Sequence, residues 1–287
     1  METNLLAAIN NIVNNPITDI ITYYKTTKRF NKVEKAIELY IKDIFCNANN
    51  FDSVSDKLEV FSKYFAFFDN FYSLPNIIIR NGDGIAVRTI NSTNAPIELY
   101  NFYPRDKLYK QDSIMAKHSI ENEEWQEKDL LYIIIELNNQ CLKSIWFLYG
   151  DCFIADKEIY EYIQSKVVQG LLKSPKAHVS TNNPNVLGVV EHIDPLDITS
   201  LQVEGTWFIE NPNLVFEDYF DPDIQNQFSI HAVLLKTKYD SFPIAQRKNL
   251  EKLQDKDKNF NIKDVKIRWP NNTVKLLEAK FISFYLI

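Results

Sequence analysis

Glycine is scarce in this chain, at six of 287 residues, and the motifs built on it are missing: there is no G-x-x-x-x-G-K-[ST], no G-x-G-x-x-G and no G-x-S-x-G. Backbone cradles for nucleotide phosphates and the nucleophile turn of α/β-hydrolases therefore have no sequence support. Cysteine is equally sparse. Cys46, Cys141 and Cys152 are odd in number, widely spaced and in no C-x-x-C pair, which fits free thiols in a reducing cytoplasm better than disulfides or zinc. The histidines, His118, His178, His192 and His231, lie far apart with no i, i+4 pair, so no metal site is expected of them. Long apolar runs are also lacking. Stretches such as Leu130 to Ile135 are far too short to cross a bilayer, and the polar start of the chain is not signal-like, so the expectation is a cytoplasmic protein with no membrane partner.

What is present is ordinary for a soluble globular protein: 45% apolar and 24% charged residues, in a chain long enough to bury a sizeable core. The net charge of −6 argues mildly against non-specific nucleic-acid binding, which depends on neutralised phosphates. A local basic face is still compatible with it. Lys25, Lys28, Arg29, Lys32 and Lys35 form the densest basic cluster; a solvated helix face is the bland reading and phosphate contact the sharper one.

The chain is organised around Leu74 to Ile90, LPNIIIRNGDGIAVRTI. Two runs rich in β-branched residues, Ile77 to Ile79 and Ile85 to Val87, flank Asn81-Gly82-Asp83-Gly84, whose members tolerate φ > 0. That predicts a β-hairpin. A loop of three or five residues centred on Gly82 pairs Ile78 with Ala86 and Asn76 with Arg88. One face is then Ile77, Ile79, Ile85 and Val87, all core, and the other is Asn76, Ile78, Ala86 and Arg88, a mixed set of the kind a buried functional face shows.

Around the hairpin, apolar spacing predicts helices over Asn4 to Val13, Val33 to Phe45, Ser53 to Phe68, Asp112 to Trp125, Asp156 to Leu172 and about Pro243 to Leu253. Val60 to Phe68 is aromatic enough to be a buried strand instead. Strands are expected at Pro96 to Phe102, as an edge, and at Asp129 to Leu137, Ser144 to Tyr149, Phe228 to Leu235, Ile262 to Ile267 and Ala279 to Ile287, with Pro104 to Lys110 a polar connection. The near-continuous apolar strands call for cover on both faces. The expected fold is α/β, a mixed sheet with helices on both faces. Residues 1–173 form the core and 174–287 an elaboration with closing strands, packed as one unit; prolines break Ser174 to Pro212 into short pieces.

A proline, an acid and a hairpin leading to acid-x-lysine on the same face is the layout of the PD-(D/E)xK nucleases, in which the acids hold Mg²⁺ and the lysine activates or orients water. Here Pro75-Asn76 and Ala86-Val87-Arg88 occupy that skeleton. By this hairpin, and by Ile193-Asp194-Pro195-Leu196-Asp197-Ile198-Thr199 and Trp207-x-Ile209-Glu210-Asn211-Pro212, the sequence resembles the NgoPII family of type II restriction endonucleases. Glu38-x-Tyr40-x-Lys42-Asp43-x-Phe45, Trp125-x-Glu127-Lys128-Asp129 and Asp264-Val265-Lys266-Ile267 fit the same pattern, in order along nearly the whole chain. The resemblance implies a PD-(D/E)xK fold, a homodimer, and Mg²⁺-dependent cleavage of GGCC in duplex DNA.

The chain departs from that pattern at Asn76, Ala86 and Arg88, which stand where the family has Asp, Glu and Lys. Asn lacks the charge a hard Mg²⁺ demands, Ala has no ligand atom, and Arg cannot accept a proton. The first expectation is a duplex DNA-binding protein with little or no hydrolysis, paired with itself or with an active homologue, and with Mg²⁺ weak or absent. The alternative is an active Mg²⁺-dependent endonuclease with acids re-sited at Asp83 and Glu38. A protein-interaction scaffold is a third reading. Where the family carries basic side chains, this chain has Glu191-His192 and Gln202-Val203-Glu204-Gly205; Lys28, Arg29, Lys32, His192, Gln202 and Glu204 are the DNA-contact positions to test, with guanine reading weakened.

Overall fold

A computed structural model describes residues 2–24, 32–49, 51, 53–69, 74–99, 103–112, 123–179, 186–222 and 224–287. The first helix, α1 (Leu5–Asn14), starts where the Asn4 side chain accepts from the Leu6 and Ala7 amides, and it buries Leu5, Leu6, Ala8, Ile9 and Ile12. It packs on α3 (Lys32–Cys46), which also receives α2 (Ile20–Tyr24). α4 (Val54–Tyr64) runs directly into strand β1 (Phe65–Phe68). The aromatic stretch from Val60 is thus split, helix then strand, and Phe61, Phe65 and Phe68 pack on one another across the junction.

The hairpin follows as β2 (Ile77–Ile79) and β3 (Gly84–Ile90). Beyond it lie β4 (Ile97–Leu99), β5 (Lys107–Tyr109), β6 (Glu127–Asn138) and β7 (Cys141–Tyr149). Two helices come next, α5 (Gly150–Phe153) and α6 (Lys157–Leu171). β8 (Ala177–His178), β9 (Val186–Val190) and β10 (Leu201–Glu204) make a small separate sheet, and among the described residues β11 (Trp207–Ile209) pairs with β4 alone. The chain closes with α7 (Pro212–Val215), β12 (Phe228–Leu235), α8 (Lys236–Ser241), α9 (Ile244–Lys256), β13 (Phe260–Trp269) and β14 (Asn272–Leu286).

The principal sheet has the order β1-β2-β3-β6-β7-β12-β14-β13, with β5 added to the start of β6. It is mixed: β3 runs parallel to β6 and β7 parallel to β12, while the β6/β7 and β12/β14 pairs are antiparallel. Leu130 to Leu137 is buried without interruption, as both faces are covered. Phe216 and Phe220 lie over Trp146 on one face. That cover comes from the short elements after Asn211. α6 instead packs on β9, and the aligned Ile159, Ile163 and Val167 on it are exposed.

The hairpin register is a correction. Ile77 faces Ile85 and Ile78 faces Gly84, so the loop is Arg80-Asn81-Gly82, centred one residue earlier than Gly82. Asn81 takes the positive φ of 54° that the turn needs, and Ile79 N donates to Asp83 O at 3.0 Å, which keeps Asp83 in the ladder. A shift of two in the pairing sum leaves the faces unchanged. Two further expectations change: Pro104 to Lys110 contains strand β5, and β4 joins β11 instead of the principal sheet edge. Most of the helix expected over Asp112 to Trp125 lies outside the described residues.

Candidate active site at one rim of the principal sheet

The topology brings unlike chain segments to one rim. With β3 parallel to β6, and β7 parallel to β12 but opposed to β6, the starts of β3 and β6 meet the ends of β7 and β12. Asp83 sits just before β3, Asp129 near the start of β6, Tyr149 at the end of β7 and Lys238 in the helix after β12. Register supplies the rest: Ile85 faces Leu131 and Leu131 faces Tyr149, so the Tyr149 and Asp83 side chains share a face.

Asp83 is buried. Its Oδ2 accepts from the Tyr149 hydroxyl at 2.5 Å and its Oδ1 from Lys238 Nζ at 2.7 Å. The same ammonium donates to Asp129 Oδ2 at 2.6 Å, bridging two carboxylates. Lys107 on β5 donates to Glu127 at 2.8 Å and stands 3.7 Å from Asp129. Beyond Tyr149, Gly150 lets the chain pass the Asp106 backbone; a Cβ there would lie 2.1 Å from the Asp106 carbonyl oxygen. Asp151 follows, and its Oδ1 has no hydrogen-bond partner among the described residues.

The open side is a cleft of about 480 Å³ lined by Asp83, Glu123, Glu124, Glu127, Lys128 and Asp129, with the Asn81-Gly82 turn. Lys128 is engaged, donating to Gly82 O at 2.8 Å and paired with Glu123 at 2.7 Å. Carboxylates outnumber free cations here, so the cleft attracts positive charge.

Burial pushes the Asp83 carboxyl upward, against the pull of Lys238 and the Tyr149 hydroxyl. Burial also works against the Lys238 ammonium, but Asp83 and Asp129 outweigh it and hold Lys238 above its ordinary value. Asp151 is raised by burial and then by the Asp129 charge.

An Mg²⁺ site needs one or two carboxylates and leaves the remaining positions to water and substrate phosphate. Asp83 and Asp129 fit that requirement, because they already flank a cation. Among the described residues no group of three or more His, Cys, Asp or Glu side chains that could hold a metal ion comes together.

The other sequence-predicted positions fall elsewhere. Asn76, Ala86 and Arg88 are 2%, 0% and 4% exposed and lie on the face opposite Asp83. Asn76 Oδ1 accepts from Val87 N at 2.6 Å, and Arg88 donates to the Val87 carbonyl at 2.5 Å. Glu38 is not brought to Asp83: it pairs with Lys42 at 2.6 Å and Lys35 at 3.0 Å, and these cations lower its pKa although burial opposes them. Lys28 and Arg29 lie outside the described residues, as does the Lys32 side chain. His192, Gln202 and Glu204 are exposed around the small sheet, with Gln202 donating to Glu204 at 2.6 Å. Sequence reading missed Asp129, Tyr149, Lys107 and Lys238. The signals available were at Asp129, which heads an otherwise apolar strand and ends the Trp125-x-Glu127-Lys128-Asp129 segment.

A model of the family described as NgoPII restriction endonuclease matches residues 3–268. Over 285 residues the chain is 32% identical to a Type II restriction enzyme NgoPII of Neisseria gonorrhoeae, covering 99% of this chain and 100% of that protein. The chain belongs to the NgoPII restriction endonuclease family. No solved structure matches it. No helix among the described residues is long and apolar enough to cross a membrane.

Proposed function

We propose that this NgoPII-family member is an active Mg²⁺-dependent endonuclease on duplex DNA, with its centre at Asp83, Asp129 and Lys238. The observation that carries the reading is the ammonium held between two carboxylates, at 2.7 and 2.6 Å, at the edge of an acidic cleft. Asp83 and Asp129 would hold the metal. Bound Mg²⁺ supplies Lewis-acid stabilisation of charge developing on a phosphodiester. Tyr149 fixes the Asp83 carboxylate by its 2.5 Å hydrogen bond, and Lys107 restrains Asp129 and Glu127. Lys238, once released from the carboxylates, is a cation within reach of a phosphate oxygen. The GGCC duplex and the homodimer implied by the resemblance belong to this reading; the exposed Ile159, Ile163 and Val167 on α6 support a second copy.

A non-cleaving DNA reader is the second reading, favoured by the burial of Asn76, Ala86 and Arg88 where the PD-(D/E)xK pattern expects its acids and lysine. One experiment separates them. GGCC and scrambled duplexes are titrated with Ca²⁺ for binding and with Mg²⁺ for cleavage, using wild type, Asp83→Asn, Asp129→Asn and Glu38→Gln. The active reading expects cleavage that falls about 100-fold or more in the two Asp variants, with binding kept and Glu38→Gln unaffected. Stable binding of uncut wild-type complexes with Mg²⁺ would establish the reader instead. Loss of binding to both duplexes would remove both and leave a scaffold.

A further inference from the structure

The opposite rim of the sheet carries a second polar cavity, of about 300 Å³. Asp129 and Glu136 are seven residues apart on β6, about 23 Å at strand rise, so the cavity is separate from the acidic cleft. Glu136 faces it and is held rigidly: Thr93 donates to one carboxylate oxygen at 2.7 Å and Ser144 to the other at 3.0 Å. An ionised carboxylate has about four acceptor sites, so Glu136 retains capacity for further donors.

His231 lines the same cavity. It is 3% exposed, its ring lies 4.6 Å from Trp146, 4.9 Å from Phe220 and 5.6 Å from Tyr285, and its Nδ1 has no hydrogen-bond partner among the described residues. Burial lowers its pKa to about 3, so the imidazole is neutral and does not repel a cation. A buried ring nitrogen left unpaired is costly, and the neutral ring adds no positive charge to the cavity wall.

The lining selects the ligand class. Glu136, Glu217 and Asp221 face the cavity with Lys143, and Lys143 already donates to the Asn226 carbonyl at 2.6 Å. Phosphates and carboxylates are therefore disfavoured. Aromatic faces beside carboxylates suit a positive charge carrying N–H donors. We propose that this cavity binds a small organic cation of the amine or guanidine class, its N–H groups donated to Glu136 and its charge set against Phe220 and Tyr285.

The test is calorimetric titration of the full chain with agmatine and with spermidine, against sodium chloride of matched ionic strength. Saturable binding of one cation per chain is expected, weakened about tenfold or more in Glu136→Gln and in Phe220→Leu. Asp129→Asn is titrated alongside, because the acidic cleft also attracts cations, and should bind as wild type does. Thermal melts confirm that each variant is folded. No saturable heat in wild type with either probe would overturn the proposal. So would binding that survives both Glu136→Gln and Phe220→Leu, or that is lost in Asp129→Asn.

Discussion

Replacing Lys238 by Met distinguishes a metal site from a structural ion pair. Removing one partner of a buried pair costs about 3–5 kcal/mol, because the other charges stay behind. Lys238 and Asp129 are 18% and 33% exposed at their side chains, so solvent screening places the expected loss at the low end, about 3 kcal/mol. At roughly 2–3 °C per kcal/mol for a domain of this size, Tm falls by about 6–9 °C. The variant removes the ammonium that bridges Asp83 and Asp129 and leaves only Lys107, 3.7 Å from Asp129, so a divalent ion can take the bridging place. Mg²⁺ at about 100 times its Kd returns about 2.7 kcal/mol, nearly the whole loss. In wild type the ion must displace the ammonium, so the same Mg²⁺ raises Tm less. Differential scanning calorimetry with and without Mg²⁺ reads both. If Mg²⁺ moves the Tm of Lys238→Met no more than that of wild type, Asp83 and Asp129 do not form a metal site.

Three further outcomes are expected. The Gly150→Ala variant, whose new Cβ would sit 2.1 Å from the Asp106 carbonyl oxygen, loses about 3 kcal/mol because backbone must move to admit it; urea denaturation measures this. His231 is lowered from 6.5 to about 3, so its contribution is fully present above the unfolded value of 6.5 and is lost as pH falls from there toward 3. Between those limits wild type should lose about 1.4 kcal/mol per pH unit more than His231→Phe, as read by denaturation at several pH values. Finally, protons compete with the metal at Asp83, which burial raises, so Mg²⁺ affinity should weaken on acidification at a higher pH than for an exposed Asp. Titrating Mg²⁺ into Tyr149→Phe, which lacks a hydrogen bond favouring the ionised carboxylate, should move that weakening to higher pH still.

Much of the fold was legible because the signals were local. Apolar runs at Leu130 to Leu137 and Ser144 to Tyr149 marked buried central strands, and both are there. Asn4 marked a helix start and caps it. The hairpin was legible to within its centre: Asn81 and Gly82 both tolerate a left-handed turn, and the choice went to Asn81 because Asp83 is held in the ladder, with its side chain bound to Tyr149 and Lys238. Neither partner belongs to the hairpin, so no hairpin rule could have identified them. Strand β5 was missed for a related reason. Lys107-Leu108-Tyr109 is too short and polar to announce itself, and only its pairing with β6 makes it a strand.

By itself, the sequence determined the mixed α/β class, the buried central strands, the family, and which faces Asn76, Ala86 and Arg88 share. Each follows from a pattern that repeats every two or 3.6 residues, or from motifs contiguous in the chain. Tertiary structure alone decided where the ionisable groups meet. Asp83, Asp129, Tyr149 and Lys238 span more than half the chain, and they converge because β3 lies parallel to β6 and β7 parallel to β12, which puts two strand starts and two strand ends on one rim. Strand direction within a sheet is a long-range property, set by which strands pair and not by the composition of any one of them.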